Sequence, residues 1–265
     1  MNTAKIAIVT GGSSGIGRET ALALSQQGCT VYELSRRENP LQGVRHITCD
    51  VTDEAAVAAA VETVLQREGR VDLVINNAGY GISGAVEFTE TADAQALFDA
   101  NFFGMVRVNR ALLPIMRKAG GGRIVNISSI AAPVAIPFQA YYSATKAAVN
   151  AYTCALHNEV KPFGISVCAI MPGDIRTGFT AARRKNPAGD DVYNGRIARS
   201  VAGMEKDERT GMDPAAAGRM IARIALRRRV KPLYALGLAY KGAIALTHLL
   251  DCRALYALVG LIYAR

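Results

Sequence analysis

Six short apolar runs, each closed by a turn signal, constrain this chain more than any other feature of its 265 residues. They are "KIAIVTG" (5–11), "CTVYELS" (29–35), "RHITCDV" (45–51), "VDLVINNAG" (71–79), "GRIVNISS" (122–129) and "ISVCAIMPG" (165–173). Alanine-rich segments of helical spacing, such as "ETALALSQQG" and "EAAVAAAVETVLQREG", lie between them and end on glycine stops. Strands that are nearly all apolar must be covered on both faces, and their alternation with helices makes the sheet parallel. Right-handed crossovers then predict a doubly wound, Rossmann-like α/β fold in three α/β/α layers. No repeat or linker divides the chain, so residues 1–265 are expected to form one domain. It would carry a variable loop over about 174–213 and a C-terminal extension over about 230–265. The segment 174–213 is polar, carries Gly and Pro, and is without evident period. After it, "DPAAAGRMIARIALRR" starts with an Asp cap and a Pro at the first helical position.

The turn after the first run, "TGGSSGIG" (10–17), places Gly11, Gly15 and Gly17 between a strand and a helix. Glycines there permit a tight turn and a close approach of backbone to a pyrophosphate, which the helix N-terminus attracts. Ser13, Ser14 and Ile16 complete the turn. An NAD site places a carboxylate at the end of the second strand for the ribose 2′-OH. Here "YELSRRENP" has Ser35 at that place, followed by Arg36 and Arg37, while Glu33 lies two residues earlier. Guanidinium groups suit a 2′-phosphate, so the expected cofactor is NADP rather than NAD.

A further pattern lies in "QAYYSATKAAVNAY" (139–152). Positions i and i+4 share a helix face, which pairs Tyr142, and not Tyr141, with Lys146. An ammonium beside a phenol favours the phenolate and marks a perturbed acid. Composition narrows the classes that could use it. Five scattered cysteines with no C-x-x-C pair argue against zinc and disulfides and for a reducing compartment. No long apolar run and no leader pattern is visible, so a soluble cytoplasmic protein without a metal is expected. Residues 1–180 balance 15 basic against 15 acidic side chains, and residues 181–265 carry 16 against 7. The whole excess of +9 therefore sits in the last third. No recognition helix or aromatic RNA motif accompanies it, so no nucleic-acid partner is expected.

Together these motifs resemble the short-chain dehydrogenase/reductase family over about residues 4–180. They run in order as Thr10-Gly11-x-x-x-Gly15-x-Gly17, Asn76-Asn77-Ala78-Gly79, Asn101, Ser129 and Tyr142-x-x-x-Lys146, with "MPG" and Thr177 after them. The resemblance implies an NAD(P)-dependent oxidoreductase acting on CH–OH groups, with Asn101, Ser129, Tyr142 and Lys146 as catalytic residues. Tyr142 would move the proton, Ser129 would bind the substrate oxygen, and Lys146 would lower the tyrosine and hold the nicotinamide ribose. Asn101 would anchor a water that links Lys146 to solvent. The family's spacing puts the serine thirteen residues before the tyrosine, which selects Ser129 over Ser128. Strand alternation also points those two serines in opposite directions. Asp50 and Val51 would flank adenine, Asn77, Ala78 and Gly79 the adenosine ribose, and Pro172, Gly173 and Thr177 the nicotinamide. A loop hydrogen bond or helix cap is the alternative role for Asp50.

The substrate side is expected around Ser129, Ala131, Pro133, Phe138, Tyr142 and Phe179 and in the segment 176–212. These residues are mostly apolar, which suits a steroid-, retinoid- or acyl-like carbonyl or alcohol. Arg183, Arg184 and Lys185 would be either a docking surface for an acidic carrier or simply solvated. The C-terminal segment looks like the extensions of steroid- and retinol-active members. Its apolar positions Leu255, Leu258, Val259 and Ile262 have helical spacing. It could fold back on the domain, cover the cleft, join a subunit interface or contact a membrane surface. A homodimer or homotetramer is implied by the resemblance. The rival reading is a protein that binds NADP as a sensor without turnover.

Overall fold

A computed structural model describes residues 4–264; the two ends of the expected 1–265 domain lie outside the described residues. In chain order the first half comprises β1 (Ile6–Thr10), α1 (Gly15–Gln26), β2 (Thr30–Ser35), β3 (Val44–Thr48), α2 (Glu54–Glu68), β4 (Leu73–Asn76), β5 (Ile82–Ser83), α3 (Thr91–Phe98) and α4 (Gly104–Lys118). The second half comprises β6 (Gly122–Ile127), α5 (Ala140–Glu159), β7 (Ile165–Met171), α6 (Phe179–Ala182), β8 (Arg184–Lys185), α7 (Arg196–Thr210), α8 (Pro214–Ala225), β9 (Leu233–Ala235), α9 (Leu238–Leu249) and α10 (Cys252–Tyr263). Seven strands form one parallel sheet in the order β3-β2-β1-β4-β6-β7-β9. β5 and β8 make a separate two-stranded parallel pair.

The pleat sorts the apolar runs onto two faces. On one face Ile6 and Ile8 of β1, Val74 of β4, Ile124 of β6 and Val167 of β7 pack under α2, α4 and α5. On the other, Ala7 and Val9, Leu73 and Ile75, Val125 and Ile127, and Cys168 and Ile170 pack under α1 and α8. Each fully buried large aliphatic side chain stabilises the fold by about 1.5–3 kcal/mol relative to exposure. α1 and α8 approach closely because residue 218 is glycine. A Cβ there would stand 2.5 Å from the Glu19 carbonyl carbon.

The core also holds a polar strut. Asn76 donates to Asn109 (2.8 Å) and Asn126 (2.9 Å), and Asn126 donates to Thr153 (2.9 Å), so β4, β6, α4 and α5 are tied together. Paired in this way, buried amides fix the register of the layers. The chain reverses its winding between β1 and β4. In an open α/β sheet, the crevice at the carboxyl ends of such strands is where ligands bind.

One expectation requires correction. The segment 174–213 is not an irregular loop, because it contains α6, β8 and the 15-residue α7. Only Ile197, Ser200 and Met204 of α7 are buried, so a two-residue apolar stripe among charges hid its period. The apolar run near 233 starts as β9, the seventh strand of the sheet, before α9 begins. At the C-terminus, Val259 of α10 is buried, but Leu258 and Ile262 face solvent. No helix among the described residues is long and apolar enough to cross a membrane.

Candidate active site

The glycine-rich turn ends β1 and opens α1. Gly11 (φ +65°) and Gly15 (φ +55°) occupy left-handed backbone conformations that other residues rarely adopt. A Cβ on Gly17 would lie 2.3 Å from the Gly11 carbonyl oxygen. The helix cap Ser14 makes no side-chain capping bond, and the first turn of α1 has no acidic residue. Its first N–H groups and positive dipole end are therefore left for an anion, which fits a dinucleotide pyrophosphate. Ser13 and Ile16 flank this turn, and the Ser13 carbonyl accepts from Asn39 (2.7 Å). Thr177 faces Gly15 across the crevice at ordinary contact distance.

At the end of β2, Ser35 is buried and donates to the Arg37 carbonyl (2.9 Å), shaping the turn. Glu33 is 1% exposed, packed beneath Gly12 and held by His46 and Ser35. Arg36 and Arg37 are exposed, and neither has an ion-pair partner among the described residues. Asp50 accepts from the Thr52 N–H (3.0 Å) and hydroxyl (2.8 Å). Burial opposes its charge, yet these bonds and the fields of Arg36 and Arg107 hold its carboxyl below the usual range. Both are hydrogen bonds within the loop, and Asp53 caps α2. Val51 is buried next to Gly104. Asn77 does not point freely into the crevice. Its amide donates to the carbonyls of Thr10 (3.1 Å) and Gly11 (3.2 Å), while the Thr10 hydroxyl accepts from the N–H groups of Asn77 and Ala78. Asn77 and Ala78 therefore buttress the turn, and Gly79 is exposed beside Asn101.

The expected catalytic residues converge on α5. The Ser129 hydroxyl accepts from the Ala131 N–H (3.1 Å), and the same side chain works against burial at the Tyr142 phenol. Ser128, just past the end of β6, donates to the Lys146 carbonyl (3.2 Å). Lys146 is buried, donates to the Ile127 carbonyl (2.9 Å), and holds its ammonium 5.7 Å from the Tyr142 ring centroid. Burial pushes the Tyr142 phenol up to about 12, against the Ser129 hydrogen bond and the Arg183 charge. Burial also pulls Lys146 down to about 8.

Asn101 lies in a five-residue π-helical segment, Asp99–Phe103, of a kind often found at functional sites. Its side chain is spent on both main-chain groups of Tyr80 (2.9 Å each) and on the Thr145 hydroxyl (3.3 Å). It joins the 80s loop to α5 one residue before Lys146.

Of the expected substrate-side residues, Ala131 is buried and Phe179 meets the Tyr142 ring at 5.7 Å. Phe138 adopts φ +59°, a strained value for an aromatic residue, and its ring packs edge-on against Tyr193. Beyond Pro172 the chain turns at Gly173, where a Cβ would collide with the Tyr240 ring (2.0 Å). The Tyr240 hydroxyl donates to Asp174 (2.7 Å) and so seats α9 on this motif. A pocket of about 330 Å³ opens beside Thr177 and is lined by polar residues including Thr180, Glu205 and Glu208. A second depression, of about 380 Å³, lies at the opposite ends of β2 and β3 by Cys29 and Gly43, away from this chemistry.

Sequence reasoning missed Tyr240, Glu208 and the inward position of Arg183, which is 4% exposed. It had read Arg183 as docking or solvated. The string "AARRKN" carries no signal separating Arg183 from the exposed Arg184 and Lys185.

Comparison with known proteins identifies the family. A family model described as short chain dehydrogenase matches residues 5–188. The chain is 44% identical over 227 residues to a 3-ketodihydrosphingosine reductase of Bacteroides thetaiotaomicron, spanning 84% of each sequence. It is similar to a short-chain dehydrogenase from Streptomyces avermitilis (TM-score 0.83, 33% identity, 94% of this chain and 95% of that one). It is also similar to a 3-ketoacyl-(acyl-carrier-protein) reductase from Brucella melitensis solved with NADH (TM-score 0.74, 26% identity, 88% and 95%). The chain belongs to the short-chain dehydrogenase/reductase family, whose members are NAD(P)-dependent oxidoreductases acting on CH–OH groups.

Proposed function

We propose that the protein is an NADP(H)-dependent reductase that converts a ketone on a long-chain, lipid-like substrate to the secondary alcohol. The observation that carries this reading is the meeting of Ser129, Tyr142 and Lys146 at the carboxyl ends of the central strands. The bound cofactor supplies the hydride. Gly11, Ser13, Ser14, Gly15, Ile16 and Gly17 would hold its phosphates, and Arg36 and Arg37 its 2′-phosphate. Asp50, Val51 and Asn77 to Gly79 would border the adenosine, and Lys146, Pro172, Gly173 and Thr177 the nicotinamide end.

Ser129 would donate to the carbonyl oxygen as negative charge grows on it. Tyr142, protonated at neutral pH, gives its proton to that oxygen, and the alcohol leaves. The cationic Lys146, beneath the same ring, stabilises the phenolate that results. Asn101 is a positioning residue that fixes the Tyr80 loop against α5.

A lipid-like substrate is supported by the apolar character of Ala131, Phe138 and Phe179, expected on the substrate side, and by the likeness to a 3-ketodihydrosphingosine reductase. The exposed Leu238, Leu249, Leu261 and Ile262 of α9 and α10 further support contact with a membrane surface. The test is an NADPH-oxidation screen over long-chain keto-amines, acyl thioesters, steroids and small ketones. Turnover led by the long-chain ketones supports the reading. Tight NADPH binding with no oxidation of any carbonyl would favour the sensor instead.

A further inference from the structure

The short β5–β8 pair clamps the segment that follows α6. The Arg184 N–H donates to the Gly81 carbonyl (2.9 Å), and Arg184 and Lys185 stay outside, near Asp93 and Glu205. Arg183, one residue earlier, turns inward. Its side chain is 1% exposed and ion-paired through Nη2 with Glu208. Glu208 also accepts from the Thr180 hydroxyl (2.5 Å). The remaining donors, Nε and Nη1, are buried and have no hydrogen-bond partner among the described residues.

Those two donors lie on the substrate side of the site. The Arg183 guanidinium carbon is 5.7 Å from the Phe179 ring centroid, and that ring is 5.7 Å from the Tyr142 ring. The charges of Arg183 and Glu208 are both felt at the Tyr142 phenol. Glycine at 81 lets the backbone lie against both side chains, since a Cβ there would stand 3.0 Å from Phe179 and 3.6 Å from Arg183 Nε. Buried donors without acceptors are a cost that an oxygen atom of a ligand would remove. Charge decides which oxygen. Glu208 already balances the guanidinium, so a carboxylate or phosphate would leave an uncompensated anion in a buried place. A hydroxyl satisfies the fork without adding charge.

From this geometry we infer that Arg183 is a specificity-determining residue that binds a hydroxyl group lying a few bonds from the reacting carbonyl, making the substrate a hydroxy ketone. This rests on the carbonyl-reductase reading above and narrows it. Removing one polar partner while leaving the site's own polar groups buried is what makes such discrimination large.

The test compares three long-chain ketones of equal length: a 1-hydroxy-3-ketone, the same ketone lacking the hydroxyl, and the matching keto acid. Wild type should prefer the hydroxy ketone over the deoxy compound by at least about tenfold in kcat/KM, mainly through KM. Arg183→Lys keeps a cation against Glu208 and near Tyr142 but removes the fork, so the ratio should fall towards one. The ratio is read within each protein, so any general loss of rate cancels. The double variant Arg183→Met with Glu208→Gln removes the ion pair as a unit and should also lose the preference. Calorimetry adds a readout independent of turnover: the 1,3-diol product should bind wild type more tightly than the mono-alcohol, and Arg183→Lys should bind both alike. A preference that survives in Arg183→Lys, equal use of both ketones by wild type, or a preference for the keto acid would each overturn the inference. If no ketone is reduced by wild type, the broader reductase reading fails first and takes this inference with it. A wild type that reduces ketones without discriminating sinks the inference alone.

Discussion

Lys146→Met should stabilise the cofactor-free protein at neutral pH while removing function. Burial pulls the Lys146 ammonium from its ordinary 10.5 to about 8, which disfavours the charged form in the fold by about 3 kcal/mol. Methionine has a similar length and no charge, but it leaves the Ile127 carbonyl without its donor, at about 1 kcal/mol. The expected net gain is about 2 kcal/mol at pH 7, equivalent to roughly 5 °C in melting temperature for a chain of this size. The pH dependence follows from linkage. Below pH 8 both folded and unfolded chains hold the proton, so the full cost is present. Between about 8 and 10.5 the unfolded chain still binds the proton while the folded chain has released it. Wild type therefore gains stability as pH rises through that window, and the advantage of the variant shrinks. Urea unfolding of both proteins at pH 7 and pH 10 measures this. A variant less stable at pH 7, or a margin unchanged at pH 10, would refute the claim that Lys146 is held against its own solvation.

The two adjacent serines should separate cleanly. Ser129→Ala should lower kcat by about 100-fold through loss of a donor at the reacting oxygen. Ser128→Ala should leave turnover near that of wild type while costing about 1 kcal/mol of stability for the bond to the Lys146 carbonyl; steady-state rates and urea titrations read the two effects. Arg36→Glu should lower kcat/KM for NADPH by about 10- to 100-fold and move the preference towards NADH, in paired kinetics with the two cofactors. An unchanged preference would remove the basis for choosing the phosphorylated nucleotide.

What the sequence revealed was what repeats or what depends on local spacing. β1, β2, β4, β6 and β7 were visible because nearly all of their residues are buried, so each carries a run of aliphatic side chains. The pairing of Tyr142 with Lys146 was visible because it depends only on helix period. The preference for Ser129 over Ser128 comes from family spacing. Features set by long-range contact were hidden. α7 buries only three side chains in fifteen residues, and β9 is three half-buried residues at the sheet edge, so neither shows a period. The amide of Asn77 is held by the carbonyls of the glycine turn 66 and 67 residues away in sequence, a contact that no local spacing shows. Arg183 and Arg184 are neighbours in one string of charges, and only the β5–β8 clamp sends one inward and the other out.

The account rests on the Tyr142 phenol as the source of the proton that completes carbonyl reduction. Tyr142→Phe keeps the ring against Phe179 and Lys146 and removes only the hydroxyl, so NADPH affinity measured by fluorescence should persist. With the best ketone from the screen, kcat should fall by about a thousandfold or more. A Tyr142→Phe variant that binds NADPH and still reduces that ketone at a rate close to wild type would contradict the account.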